Sequence, residues 1–142
     1  MFRFLLRATD RIRARLRAKQ WPEHEAVGRL GEDLAHRFLE QAGLTVIARN
    51  WRPPEHEHGE IDLIALEGEV RVFVEVKTRR EAVDSAPDRA IDREKIRSWR
   101  YLSRNYLQRT GVPEAPYRMD LVSVVLEPEL RIEHVPDAFS IH

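Results

Sequence analysis

The chain has 142 residues, a formal net charge of zero and 42% hydrophobic side chains, the make-up of one soluble globular domain. Without cysteine it can form neither disulfides nor thiolate metal sites, which fits a reducing cytoplasm, and no apolar run reaches membrane-spanning length. The zero conceals an asymmetry: residues 1–20 carry seven basic side chains and one acid, a charge of +6, so the other 122 residues sum to −6.

In chain order, residues 1–22 read as a basic arm, helical or flexible, set apart from a domain over 23–142. Phe2, Leu5, Ile12 and Leu16 would make a thin apolar stripe on a helix. Arginines interleave with them, so no signal-peptide core is present. The arm is either a solvated terminus or a contact for an anionic partner. Over 24–42, Val27, Leu30, Leu34, Phe38 and Leu39 recur at helical spacing, and Gly43 stops the run. Residues 44–51 read as a strand and 52–59, with two prolines and a glycine, as a loop. A hairpin follows, then a connector over 80–88. A second helix is predicted over 88–108, with Ile91, Trp99, Leu102 and Tyr106 on one side. Two more strands are predicted at 117–126 and 130–135. The order α, β, β, β, α, β, β implies an α/β layer structure with a mixed sheet.

The hairpin carries the chemistry. A two- or four-residue loop around Glu67-Gly68 would set Ala65 opposite Val70, Asp62 opposite Phe73 and Glu60 opposite Glu75. Side chains alternate faces along a strand. Ile61, Leu63, Ala65, Val72, Val74 and Val76 then share one wholly apolar face. Glu60, Asp62, Ile64, Arg71, Phe73, Glu75 and Lys77 share the other. Acids on cross-strand neighbours are within reach of one small ion. Clustered carboxylates repel unless protons or cations compensate, and their oxygens suit a hard divalent cation. An ion held by two carboxylates can polarise a phosphoryl oxygen, with Lys77 beside it to orient water or neutralise developing charge. The plainer alternative is a surface ion pair between Glu75 and Lys77.

Gly28, Gly31, Glu32, Ala35 and Leu39 share one face of the first helix. Each helical glycine costs roughly 1 kcal/mol relative to alanine, a cost that a close approach would offset. An acid on that small-residue side points inward, toward the sheet. Its alternative role is to favour the first helical turn through the helix dipole. On the second helix, Arg89, Arg93, Arg97, Arg100 and Arg104 form a row able to track phosphates, or else a solvated face balanced by nearby acids. Lys95 falls on the apolar stripe, where it either snorkels or reaches the acidic site. Arg79 and Arg80 continue the lysine strand and are further candidates to hold a phosphate. His56 and His58 are a weak zinc candidate.

Asp62, followed after twelve residues by Glu75-Val76-Lys77, resembles the PD-(D/E)xK motif of restriction-endonuclease-like nucleases. The stretches "GRLGEDLAHRFLEQAGLTVIARNWR", "GEIDLIA", "VFVEVKTR", "RMDLV" and "EHVPDAF" resemble the YraN-like family of small bacterial proteins over most of residues 28–139. The core of that family is similar to archaeal Holliday-junction resolvases. The resemblance implies a three-layer α/β fold, a mixed central sheet flanked by helices, with an αβββαβ core plus a C-terminal strand. It implies Asp62, Glu75 and Glu32 as ligands of Mg²⁺ or Mn²⁺ and Lys77 as the catalytic lysine. Two departures stand out: Ile61 replaces the motif's proline, and "VDSAP" (83–87) replaces a Phe-Gly pair.

The expected function is a metal-dependent endonuclease acting on DNA, with branched or structured DNA among its candidate substrates. Resolvase-like cutting would call for a two-fold homodimer. The alternative is a non-catalytic nucleic-acid-binding module that keeps the nuclease fold. A third reading is an interaction protein whose arm docks on an acidic partner or a membrane surface.

Overall fold

The computed structural model describes residues 23–55, 59–82 and 93–142. The basic arm, His56, His58, Arg89, Ile91 and the "VDSAP" connector lie outside them. The described elements are α1 (Glu23–Gln41), β1 (Thr45–Trp51), β2 (Ile61–Glu67), β3 (Val70–Glu81), α2 (Arg93–Arg109), β4 (Tyr117–Glu127) and β5 (Arg131–Phe139). The strands form one sheet in the order β1-β2-β3-β4-β5. Only the β3–β4 pair is parallel, so the sheet is mixed as expected. No described helix is long and apolar enough to cross a membrane.

Each face of the sheet carries one helix. Leu34, Ala35 and Leu39 of α1 pack on Leu63, Ala65, Val72 and Val74. Trp99, Leu102 and Tyr106 of α2 pack on Ile64, Phe73 and Met119. Each fully buried side chain of this size contributes roughly 1.5–3 kcal/mol. The helix-spaced apolar residues therefore find the faces that strand alternation leaves apolar, which gives the three layers. Ile61 departs from the expected alternation. It packs in the α2-side cluster near Trp51, its partner's residue on β1. It lies beyond Leu63–Val74, the last residue pair of the β2–β3 ladder.

The hairpin register also differs from expectation. The structure pairs Glu67 with Val70, Ala65 with Val72, and Ile64 with Phe73. The turn is therefore Gly68-Glu69, one place further along. Gly68 has φ of 58°, while Glu69 is not among the residues with positive φ. A tight hairpin turn with a left-handed residue only at its first central position favours glycine there. The partners slip by two residues, and a slip of two leaves the paired side chains on their predicted faces.

Strand β5 runs four residues beyond the predicted end at 135, through Pro136. An edge strand tolerates proline because one side of its backbone needs no ladder partner. A buried acid anchors this extension: the Asp137 N–H donates to Asp120 Oδ1 at 2.9 Å. Arg118 Nε and His134 Nε2 lie 2.9 and 2.8 Å from the same carboxylate. Burial alone would raise the Asp120 carboxyl. The hydrogen bonds from His134, Arg118 and the Asp137 N–H prevail and hold it below its usual value.

Two glycines bring the helices close to the sheet. A Cβ on Gly31 would sit 1.7 Å from Thr78 Oγ1 on β3. One on Gly59, just before β2, would sit 2.7 Å from Ser98 Oγ on α2. Gly28, by contrast, has nothing within 4 Å. The close approach expected from two helical glycines therefore belongs to Gly31 alone. Gly31→Ala is expected to lower unfolding stability by about 1–3 kcal/mol through overpacking. Gly28→Ala should raise it by up to about 1 kcal/mol. Urea denaturation of the two variants checks both signs.

Candidate active site

Extending the observed hairpin register by one residue sets Asp62 opposite Glu75, closer than the diagonal placement expected from the sequence. The strands no longer pair through their backbones at this point. The Val76 N–H donates instead to Asp62 Oδ2 at 2.8 Å. The carboxylate thus supplies the acceptor that a ladder carbonyl would have supplied. An acidic side chain is thereby held in the sheet, at the place where the two strands part.

The part of the site nearest α1 is acidic. Glu32 is buried, and one oxygen from each of Glu32, Glu60 and Asp62 lies within 4.8 Å of the others. Asn50 holds two of them: its Nδ2 donates to both oxygens of Glu32 at 3.2 and 3.1 Å and to Glu60 Oε1 at 3.1 Å. Asn50 has φ of 50°, a left-handed conformation that asparagine adopts more readily than most residues. Arg29 and Arg49 approach Glu32 at 3.0 and 3.7 Å. A groove of about 400 Å³ lined by His24, Glu25, Gly28, Arg29, Glu32 and Glu60 opens this part to solvent. Gly28 accordingly faces open space.

The part nearest α2 is a carboxylate between two ammonium groups. Glu75 is 6% exposed. Its Oε1 lies 3.3 Å from Lys77 Nζ and 3.2 Å from Lys95 Nζ. Lys95 also sits 5.5 Å from the centroid of the Trp99 ring, so its stem spans the apolar stripe to reach the acid.

Asp62 stands between the two parts, and its carboxyl is pushed up to about 8. Burial is the main cause, followed by the charge of Glu75, and Glu32 adds to both. The hydrogen bond from Val76 opposes the shift without cancelling it. Like charges crowded in a poorly solvated site favour the protonated form of this carboxyl in metal-free protein.

Of the residues singled out in the sequence, the structure brings Asp62, Glu75, Lys77, Glu32 and Lys95 together. Alternation places Arg79 on the face of Glu75 and Lys77. Arg80 points to the α1 side, where it pairs with Glu23. Arg93 and Arg97 are exposed along α2, and Arg100 donates through Nε to the carbonyl of Ile141 at 3.2 Å. Sequence reasoning placed Glu60 in the acidic group without giving it a role and missed Asn50 entirely. The one signal for Asn50 was a turn-forming residue near the end of a strand, which says nothing about its partners.

Asp62 yields a pH prediction for metal-free protein. An unfolded chain releases this proton near 3.8, the folded chain near 8. The folded state binds more protons in that window, so this group's contribution is full below the lower value and is lost as pH rises to the upper one. Asp62→Asn should therefore gain stability over the parent as pH increases, by up to about 1.4 kcal/mol per pH unit. Thermal melts in chelator from pH 5 to pH 8 measure the difference.

The profile of the uncharacterised protein family UPF0102 matches residues 31–124, a stretch that contains Glu32, Asn50, Glu60, Asp62, Glu75, Lys77 and Lys95. A UPF0102 protein of Solibacter usitatus is 43% identical over 139 residues, covering 98% of this chain and all of that protein. One from Rhodococcus jostii is 44% identical over 116 residues, covering 80% and 96%. One from Koribacter versatilis is 40% identical over 114 residues, covering 78% of each.

Proposed function

The chain belongs to the UPF0102 family, and we propose that it is a Mg²⁺- or Mn²⁺-dependent endonuclease acting on DNA. One observation carries the reading: carboxylates of Glu32, Glu60 and Asp62 converge within 4.8 Å, next to Glu75 and its two lysines. The donor set is all oxygen, which fits a hard divalent cation and not a thiolate- or imidazole-loving one. Asp62, Glu32 and Glu75 would hold the ion, with Glu60 as a fourth acid. When bound, such an ion polarises a phosphoryl oxygen and makes water a stronger nucleophile at neutral pH.

The other roles fall to the chain itself. Binding the ion requires Asp62 to give up its proton, so affinity should rise with pH toward about 8. Lys77, which lies beside Glu75, would orient the attacking water and offset negative charge that develops on the phosphate. Lys95 brings a second positive charge from the other layer. The Asn50 amide keeps Glu32 and Glu60 aligned, which lowers the reorganisation needed to use them. Branched DNA among the substrates would call for two copies related by a two-fold axis, so that paired cuts fall symmetrically.

The test is metal-dependent cleavage of linear, flapped and four-way DNA. Parent protein should cut at least one of them with Mg²⁺ or Mn²⁺ and none with chelator. Asp62→Asn should abolish cutting, weaken divalent-ion binding in calorimetry and leave DNA binding intact or tighter. A parent that binds DNA but neither binds the ion nor cuts is a binding module on a nuclease-like scaffold, and the catalytic reading fails.

A further inference from the structure

Two glycines interrupt α1, and packing explains one of them. Gly31 lets the helix settle on Thr78, whereas a Cβ on Gly28 would meet nothing within 4 Å among the described residues. Gly28 lies inside the helix Glu23–Gln41, away from both ends, so neither cap calls for it. Glycine in a helix interior costs roughly 1 kcal/mol relative to alanine. Alanine would fit here and stabilise the fold. Glycine at this position therefore serves neither the helix nor its contact with the sheet.

Its place beside the acids gives a reason. Gly28 lies one helical turn before Glu32 and one after His24. Side chains on a helix lean toward its N-terminus, so the Glu32 side chain extends over the turn that holds Gly28. A side chain at position 28 would stand next to it. Glu32 does not itself need that room, since a Cβ built on Gly28 stays more than 4 Å from it. What the missing side chain keeps open is the groove of about 400 Å³ lined also by Glu32 and Glu60, two of the three converging acids. Bare backbone is the surface that lets a ligand approach most closely. In the same groove Arg29 donates through Nη1 to Glu32 Oε2 at 3.0 Å. A guanidinium has several N–H donors in a planar fork, so it can hold a carboxylate and still meet a phosphate oxygen.

We propose that Gly28 is the floor of the substrate groove: the sugar–phosphate backbone of the nucleotide next to the cut crosses α1 at this residue, with Arg29 on its phosphate. The proposal deepens the DNA reading above and rests on it. The strand would leave the acids between α1 and Glu60, the residue that precedes β2. Gly31 then sets how closely α1 meets the sheet, and Gly28 how closely DNA meets α1.

Binding of labelled linear, flapped and four-way DNA, measured by fluorescence anisotropy with Ca²⁺ in place of Mg²⁺, tests the groove separately from cutting. Gly28→Leu should weaken the tightest of these complexes about tenfold, as a side chain forced into a filled contact does. Gly28→Ala should fall between Gly28→Leu and the parent. Both variants should resist urea at least as well as the parent and bind Mn²⁺ as it does in calorimetry, because both residues favour the helix and leave the acids in place. The proposal is overturned if the two variants bind DNA as the parent does, or lose Mn²⁺ in step with DNA. Lower stability in both variants overturns it too, since glycine would then have a packing role, as does a parent that binds none of the three DNAs. A parent that binds DNA, is weakened by Gly28→Leu and yet cuts nothing with Mg²⁺ or Mn²⁺ sinks the endonuclease reading and leaves the groove standing.

Discussion

One hydrogen bond organises the site: the Val76 N–H donates to the Asp62 carboxylate where the β2–β3 ladder has ended. A backbone donor inside a sheet must find an acceptor, and here a side chain provides it. Asp62 is thereby held between two strands, two helices and two sets of charged groups. Glu32 reaches it from α1, and Glu75 stands beside it with lysines from β3 and α2. Move that carboxylate and the acids have no common centre.

The same constraint explains the polar groups around it. Carboxylates gathered in a poorly solvated place repel, and the repulsion must be met by protons, donors or cations. All three are present. The raised Asp62 carboxyl favours the proton, Asn50 donates an amide to two acids, and Lys77, Lys95, Arg29 and Arg49 bring positive charge. Asp120, a second buried acid, makes an instructive contrast. Fully met by Arg118, His134 and the Asp137 N–H, its carboxyl lies below the ordinary range, and it fastens an edge strand. Asp62 is incompletely met and shifted the other way. Burial raises both carboxyls; the partners of Asp120 outweigh it, and the single hydrogen bond from Val76 to Asp62 does not.

Much of the architecture was legible in the residues because it depends on short-range periodicity. Helical spacing of Leu30, Leu34 and Leu39 marked the face of α1, and two-residue alternation set Leu63 and Val74 apart from Asp62 and Glu75. A glycine in the first helix signalled a close approach, which Gly31 makes against Thr78. The hairpin register was read two residues off, because turn chemistry had to choose between Glu67-Gly68 and Gly68-Glu69. The face assignment survived for the paired residues, since a slip of two conserves parity, while Ile61 beyond the ladder left its face.

What the sequence determined by itself was the mixed α/β layering and the shared face of Asp62, Glu75 and Lys77, for both follow from periodicities of two and 3.6 residues. Only the tertiary structure decided which distant groups complete that face. Asn50 joins Glu32 to Glu60, Lys95 reaches Glu75 across twenty residues of chain, and Arg80 turns away to Glu23. Those partnerships depend on how closely two helices settle on the sheet, a distance set by small residues at their contacts and invisible to any local pattern.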